Sequence, residues 1–455
     1  MSYIEVKSRT KEILKISLPM MVEHLAISLM GMVSTMLISS VGEHATSALG
    51  MVDSVSNLII SLFAALTVGG TIVVAQYKGR DDIIAVKRAG GQAIILSAVF
   101  SVAILLILLF FGESILNMLF LNAAADVMQA SMVFLAIVSL SFPILAITQT
   151  IFGILRGVGD TLTPMIVSVI MNILNLILGI ILIRGLNLWV ISIPAFGVAG
   201  AAYALLISRV IGFIISAWFI IKKARGIRLN KPKFFVPNFK IQKTILRLGV
   251  PTSFESGLFM AGKLMQQVFM VSMGTAAIAA NTIATSIVGF INVPGMAFAT
   301  GLMILVGQRV GRGQLNDVKR TSLFAVALSS ILFVIICFIL FFFQDAIFSL
   351  YNPSEESREM LWWVLTSCLI ATPFFWAASF ITPAALRATG DVVFPMVVSV
   401  ATMIVLRLVL SYIFGIVLGF GILGVWVAMY IDWIGRSLFF IPRLLNGKWK
   451  NKSIV

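Results

Sequence analysis

Two glutamates lie inside apolar segments, each four residues after a proline. Residues 16–42 contain Pro19 and Glu23, and residues 248–274 contain Pro251 and Glu255 at an offset of 232 residues. A charged side chain at the centre of a membrane costs at least about 3 kcal/mol, so two acids at matched positions favour a function over a structural ion pair. Either carboxyl group could bind and release a proton during a transport cycle.

The helix faces that carry these acids stay polar over several turns. Positions i, i+4, i+7 and i+11 of an α-helix share a face, which adds Ser34 to Glu23 and Gln266 to Glu255. Each neutral group would lie about 16 Å from its acid along the helix axis. Ordinary hydrogen bonding between helices is an equally good explanation for both.

More charged residues lie in the apolar segments of the second half. Arg436 follows Asp432 by four residues, which predicts an ion pair within one helix. Arg407 matches Asp432 in predicted depth, so a pair between helices competes with it. Lys263 and Arg407 complete the candidate residues of a cavity, whereas Arg209 in the first half has no obvious acid partner.

Composition restricts the class of protein. The chain has 455 residues, of which 60% are hydrophobic and 11% charged, and its mean hydropathy is +1.07. Recurring apolar runs of 20 or more residues indicate an all-α, polytopic membrane protein and exclude a soluble domain. The net charge of +15 is explained by basic loops, so no nucleic-acid partner is expected. Two cysteines and two histidines form no pattern typical of a metal site.

Twelve membrane spans are expected. Because twelve is even, both termini lie on one side, and nearly all Lys and Arg then fall on that side, which predicts cytoplasmic termini. The predicted outside loops contain only Arg184 and Arg358. The predicted organisation is an N-terminal lobe of six spans, a basic cytoplasmic linker and a C-terminal lobe of six spans, at residues 1–221, 222–245 and 246–455. The predicted spans lie near residues 16–41, 54–76, 91–111, 131–155, 164–183, 196–221, 249–273, 283–306, 322–343, 361–385, 393–416 and 421–442.

The two halves repeat. AQYKGRDDIIAVKR at 75–88 aligns with GQRVGRGQLNDVKR at 307–320, and LRGVGDTLTPMIVSV at 155–169 aligns with LRATGDVVFPMVVSV at 386–400. FGVAG at 196–200 also aligns with FGILG at 420–424. Since each half has six spans, the lobes are parallel repeats, an architecture in which substrate binds between lobes that alternate access.

These motifs, with PMMVEHLAISLMGMVSTMLISSVG in the first span and the tail IDWIGR…GKWK, resemble the multidrug and toxic compound extrusion (MATE) family over nearly the whole chain. The resemblance implies two six-helix lobes and export of small organic compounds, cationic or amphipathic, across a cell membrane. It implies a drug antiporter driven by a proton or sodium gradient, without an organic cofactor. A monomer surrounded by membrane lipids is expected.

Several family positions have unusual residues in the first half. Many members have an aspartate where this chain has Ser34, and some archaeal members have another where it has Gly179. The asparagines of the fifth span match Asn172 and Asn175. Because the usual acids are missing, Glu23 is a candidate replacement for them; a structural role near the Pro19 bend is the alternative.

In the second half, Glu255 matches the glutamate of sodium-coupled members, but the aspartate that accompanies it falls at Trp376. A sodium ion near Glu255 is therefore possible, yet a proton is favoured because one hard oxygen ligand is absent. Two other functions stay open. One is a flippase for lipid-linked precursors, which needs a strongly cationic cavity; the other is a membrane enzyme acting on prenyl phosphates, which needs clustered acids or histidines.

Overall fold

The computed structural model describes residues 3–39, 42–120, 124–188, 191–224, 227–351, 353–452 and 454. It is helical almost throughout, because a helix satisfies its backbone hydrogen bonds within one segment, as the interior of a membrane demands. A short hairpin is the exception: β1 (Leu186–Leu188) pairs antiparallel with β2 (Ile191–Ile193). The all-helical prediction did not include it.

The first half contains seven helices, of which α4 and α5 form one span bent by 44°. In chain order they are α1 (Tyr3–Ser39), α2 (Glu43–Gly79), α3 (Ile83–Leu119), α4 (Ala125–Leu140), α5 (Phe142–Gly157), α6 (Leu162–Arg184) and α7 (Gly197–Trp218). A π-helical turn, Phe219–Lys223, continues α7, and a 3-10 turn, Pro232–Phe234, lies in the linker.

The second half begins with α8 (Phe239–Val271), α9 (Thr275–Gly311), α10 (Leu315–Phe342) and the short α11 (Gln344–Tyr351). Wider π-helical turns interrupt the spans that follow. The remaining elements are α12 (Glu355–Ala371), a π turn (Thr372–Trp376), α13 (Ala377–Ala388), α14 (Val393–Thr402), a π segment (Met403–Val409), α15 (Leu410–Tyr412), a π turn (Ile413–Val417), α16 (Gly421–Asn446) and a 3-10 turn (Lys450–Lys452).

Ten described helices are long and apolar enough to cross a membrane, and the bent α4–α5 pair makes eleven. The polar α8, which carries Glu255, Lys263 and Gln266, supplies the twelfth span of the described chain, in agreement with the prediction. Several helices exceed their predicted spans: α1, α2, α3 and α9 each have 37 residues. That length corresponds to about 55 Å, because a helix continues beyond the apolar run from which its span was predicted.

The sequence repeat is reproduced in the backbone. The helices α2 and α9 have equal lengths and begin and end 232 residues apart. Each follows a glycine with positive φ, Gly42 at 139° and Gly274 at 98°. Two further glycines, Gly159 and Gly390, occupy matched turns with φ of 96° and 97°. L-residues rarely adopt such angles, so these glycines determine where the helices end.

The chain forms two compact units, which we call the N-unit (Val22–Ser253) and the C-unit (Met1–Met21 with Phe254–Val455). Their limits differ from the predicted lobes, because the unit boundaries fall inside the continuous helices α1 and α8. In the C-unit, a Cβ added to Gly301 of α9 would lie 2.5 Å from Ser17 Oγ of α1. In the N-unit, a Cβ on Gly69 of α2 would lie 2.5 Å from the Ile245 carbonyl of α8. Close packing at these glycines assigns the first part of each helix to its unit.

The basic linker is ordered against α3 within the N-unit. The buried Gln92 side chain donates to the Val236 carbonyl at 2.8 Å, and its oxygen accepts from the Asn238 backbone N–H at 2.8 Å and from Gln242 Nε2 at 2.9 Å. One side chain therefore anchors the linker at three positions. The predicted contact of this linker with anionic lipid headgroups stays a prediction.

Candidate functional site

Both conserved-position glutamates of the internal repeat form ion pairs with arginines at matched positions. In the N-unit, Arg156 Nη2 donates to both carboxylate oxygens of Glu23 at 2.6 Å. In the C-unit, Arg387 Nη2 donates to Glu255 Oε1 at 2.7 Å. The glutamates are 232 residues apart and the arginines 231, so the repeat has duplicated a complete ion pair rather than two separate acids.

The turn that follows each arginine explains its position. Arg156 lies in the last turn of α5, and the chain reverses at Gly159, after which Asp160 accepts hydrogen bonds from the Thr163 N–H at 3.0 Å and the Thr163 hydroxyl at 2.7 Å. These bonds satisfy an otherwise free N–H at the start of α6. The helix end is therefore held firmly, and with it the arginine that precedes the turn.

The equivalent turn in the C-unit uses its aspartate differently. Gly390 again has positive φ, but Asp391, only 4% exposed, accepts from Arg443 Nε of α16 at 2.8 Å. The turn is thus tied to the last long helix of the unit. Arg387, four residues before Asp391, is held in the last turn of α13.

The two pairs differ in burial and in completeness. The side chains of Glu23 and Arg156 are 4% and 16% exposed, and those of Glu255 and Arg387 are 11% and 19% exposed. Glu255 Oε2 and Arg387 Nε have no hydrogen-bond partner among the described protein atoms. The C-unit pair is therefore the less fully compensated of the two, and its free carboxylate oxygen is the atom best placed to bind a proton.

Sequence reasoning missed both arginines. The motifs LRGVGD and LRATGD contain Arg156 and Arg387 and were used to detect the repeat, but not to find partners for the acids. A usable signal existed, because an acid and a base were each duplicated at nearly the same offset. Of the two roles considered for Glu23, pairing with a basic group is what the structure shows geometrically; titration stays a prediction.

A second polar cluster lies deeper in the C-unit. Asp432 is fully buried; its Oδ1 accepts from Arg436 Nε at 2.9 Å, and its Oδ2 lies 3.9 Å from Arg407 Nη1. Both pairings considered from the sequence are thus present, and the pair within α16 is the closer. Gln266 accepts from Arg407 Nε at 2.8 Å and donates to the Ser411 hydroxyl at 3.0 Å.

Three cations of this cluster surround one aromatic ring. The Lys263 ammonium lies 5.2 Å from the centroid of Phe259, and the guanidinium carbons of Arg407 and Arg436 each lie 5.4 Å from it. These distances are typical of cation–π contacts. The two arginine side chains are 7% and 4% exposed, whereas Lys263 is exposed on the surface of the C-unit.

The other candidate residues of the first half lie in the N-unit. Ser34 on α1 and Asn172 and Asn175 on α6 are half-buried. A Cβ on Gly179 of α6 would lie 3.8 Å from Leu37 of α1, so these two helices are neighbours. Their role in a substrate cavity stays a prediction. Arg209, for which no acid partner was expected, donates to the Ser141 hydroxyl at 2.5 Å.

The donor set does not fit a sodium site built on paired acids. Trp376 is buried, with its ring stacked on Phe380 at 4.7 Å and edge-on to Phe333 at 5.2 Å, so an apolar aromatic contact replaces the second carboxylate. One oxygen of Glu255 is already bound by Arg387. Among the described residues, no three His, Cys, Asp or Glu side chains converge as metal ligands.

Comparison with known proteins matches this duplicated architecture. A family model described as MatE matches residues 19–181 and again 251–413, at the offset of the internal repeat. The chain is 28% identical to a probable multidrug resistance protein NorM of Thermotoga maritima, over 99% of this chain and 95% of the relative. It is 27% identical to the uncharacterized transporter YisQ of Bacillus subtilis, over 98% and 96% of the two chains.

Solved structures share the fold. An outward-facing multidrug resistance MATE family transporter of the MOP superfamily superimposes with a TM-score of 0.87 at 23% identity, covering 97% of each chain. A MOP superfamily transporter from Pyrococcus furiosus, described as having a binding pocket of reverse polarity that suggests a different function, gives a TM-score of 0.85 at 24% identity. The superposition covers 97% of this chain and 95% of that one.

Proposed function

Because the chain belongs to the MatE family, and is therefore a multi-pass membrane transport protein and not an enzyme, we propose that it is a secondary active antiporter. In this proposal it exports small organic compounds by alternating access, driven by an ion gradient. The relatives described as multidrug resistance proteins support an export function. The basic loops support cytoplasmic termini.

The observation that carries the proposal is the duplicated Glu–Arg pair. An isolated acid in one lobe could be incidental, but the repeat retains both partners in both units: Glu23 with Arg156, and Glu255 with Arg387. Protonation of a paired glutamate removes its negative charge and leaves the arginine without a counter-ion. The free energy of the surrounding packing then depends on proton binding, which is the requirement for coupling.

The position of the pairs supports a link to movement. The chain passes between the two compact units only at residues 21/22 and 253/254, both inside helices and both two residues after a proline. Glu23 and Glu255 are each the second residue past these crossings. A proline removes one helical hydrogen bond, so α1 and α8 can bend there. A change of charge at either pair thus acts beside the covalent connections between the units.

Protons are the proposed driving ion. Arginine already occupies the free valence of each glutamate, and Trp376 stands where a second carboxylate would be needed. A proton requires one oxygen atom, and Glu255 Oε2 is available. Sodium requires several hard oxygen ligands, which the described surroundings of Glu255 do not provide.

The test is transport by purified protein in proteoliposomes, with proton and sodium gradients imposed separately. Two dyes of one xanthene scaffold, cationic rhodamine 123 and anionic 5-carboxyfluorescein, serve as probes. We expect a proton gradient alone to drive transport of at least one dye, and Glu255→Gln to abolish it. The matched control is Glu113→Gln, the same change at an exposed acid.

Full gradient-driven activity of Glu255→Gln contradicts the role of the pair. Transport that follows a sodium gradient at constant pH contradicts proton coupling. Transport of neither dye under either gradient contradicts the proposed export of small organic ions.

A further inference from the structure

The internal repeat separates what the two units share from what only one of them has. The Glu–Arg pair occurs in both units. The residues at the positions equivalent to Lys263, Arg407, Asp432 and Arg436 are instead Gly31, Leu176, Ser208 and Gly212. The six-helix architecture therefore forms without the second cluster. Burying these charges serves something other than the fold itself.

The cluster carries more positive charge than it neutralises. Lys263, Arg407 and Arg436 converge on the Phe259 ring, and Asp432 is the one acid that pairs with them among the described residues. The formal charge of these four ionisable side chains is +2. Like charges repel strongly in an apolar environment, and cation–π contact with a single ring offsets only part of this repulsion.

The arginines are held in place by their neighbours. Gln266 accepts from Arg407 Nε, and Asp432 accepts from Arg436 Nε, so both guanidinium groups are positioned by bonds to their inner nitrogen. Arg407 also lies in the π segment Met403–Val409, and π-helical turns occur frequently at functional sites. The counterpart of this region, α6, is a regular α-helix in the N-unit.

Lys263 makes the cluster accessible. It lies within a predicted span, is exposed on the C-unit, and pairs with no acid in the described chain. A lysine at this depth almost always faces a protein interior or a water-filled cavity rather than lipid. Its ammonium group is therefore the entry to a site whose floor is formed by the two buried guanidinium groups.

We propose that Lys263, Arg407 and Arg436 bind an anionic group of the transported compound, a carboxylate, sulfonate or phosphate, with an aromatic portion of the ligand beside Phe259. Bidentate donors and a compact ammonium suit such oxyanions. The transported class is then an amphipathic organic anion, in place of the cationic class that the family resemblance implies. The inference rests on the proposed export function, but the binding test below needs no gradient, so either can fail alone.

The experiment measures binding of the two xanthene dyes to the full chain in phosphatidylcholine nanodiscs by fluorescence anisotropy. We expect 5-carboxyfluorescein to bind and Lys263→Gln to weaken it about tenfold, or about 1.4 kcal/mol, because one partly buried charge is lost. Lys263→Arg should retain most of the affinity. Lys243→Gln, the same change at an exposed position of the same helix, should have no effect. Rhodamine 123 should not lose affinity in Lys263→Gln.

Three outcomes overturn the proposal: no binding of 5-carboxyfluorescein, equal losses for both dyes, or equal effects of Lys263→Gln and Lys243→Gln. A second arm identifies the source of the anion by adding phosphatidylglycerol to the nanodiscs. Displacement of the dye by this lipid supports the site and makes an anionic headgroup its occupant, as a lipid-linked precursor flippase would require. Unchanged dye binding supports the site and assigns it to a solute.

Discussion

The Glu255–Arg387 pair predicts a specific pattern of stability in a double-mutant cycle. Glu255→Gln removes the carboxylate charge and leaves the Arg387 guanidinium largely buried without a counter-ion. Arg387→Gln does the reverse. The double variant removes both charges and retains side chains of similar size that can hydrogen-bond to each other.

Burial sets the expected size of these effects. Removing one partner of a buried ion pair costs about 3–5 kcal/mol. The two side chains are 11% and 19% exposed, and two of their polar atoms already lack partners, so the lower end applies, at about 2–3 kcal/mol for each single variant. The double variant should lose about 1 kcal/mol, because neither charge is left unpaired. The resulting coupling free energy is about 3–4 kcal/mol.

The assay is thermal unfolding of the purified full chain in detergent, followed by intrinsic fluorescence at one fixed scan rate, since unfolding of large proteins is often irreversible. For a chain of this size we expect each single variant to lower the apparent midpoint by about 2–6 °C and the double variant by about 1–2 °C. Glu113→Gln is the control for charge removal at an exposed site. Additive losses in the double variant would refute the pair as an interacting unit.

Three further predictions follow from other contacts. Glu23→Gln should lower the midpoint more than Glu255→Gln, because Glu23 is more buried and both its oxygens are bonded; an equal or smaller loss in the same scan would contradict this. Gly69→Ala should destabilise the protein by about 1–3 kcal/mol in the same assay, because its Cβ would press on backbone atoms of α8. Gly50→Ala in the same helix, where a Cβ meets nothing, is the control and should be neutral or slightly stabilising. Gln92→Leu should make the linker more sensitive to trypsin, because three anchoring bonds are lost, and an unchanged digestion pattern would count against that role.

The fold was largely predictable because a membrane leaves few choices. Long apolar runs must form helices, and the repeated motifs revealed two copies of one six-helix unit. The helix ends were also foreshadowed by glycines such as Gly159 and Gly390, whose positive φ few other residues tolerate. The weakest point was the unit boundary, because no local signal marks the place where a continuous helix leaves one packed unit for the other.

The candidate site was predictable only in part. Glu23, Glu255 and Asp432 stood out because an acid in an apolar run is costly and therefore rare. Arg156 and Arg387 did not stand out, because each lies at the end of its helix, where basic residues are common. Their partners are 133 and 132 residues away along the chain.

The sequence by itself determined the class of protein, the number of spans, the internal repeat and the identity of the intramembrane acids. Each of these follows from local composition or from similarity between two stretches of chain. Tertiary structure alone decided which acid pairs with which base, and that Lys263, Arg407 and Arg436 meet at Phe259. Ion pairs and cation–π contacts depend on distances of a few ångströms between helices that are far apart in the chain, and those distances are set by side-chain packing rather than by residue type.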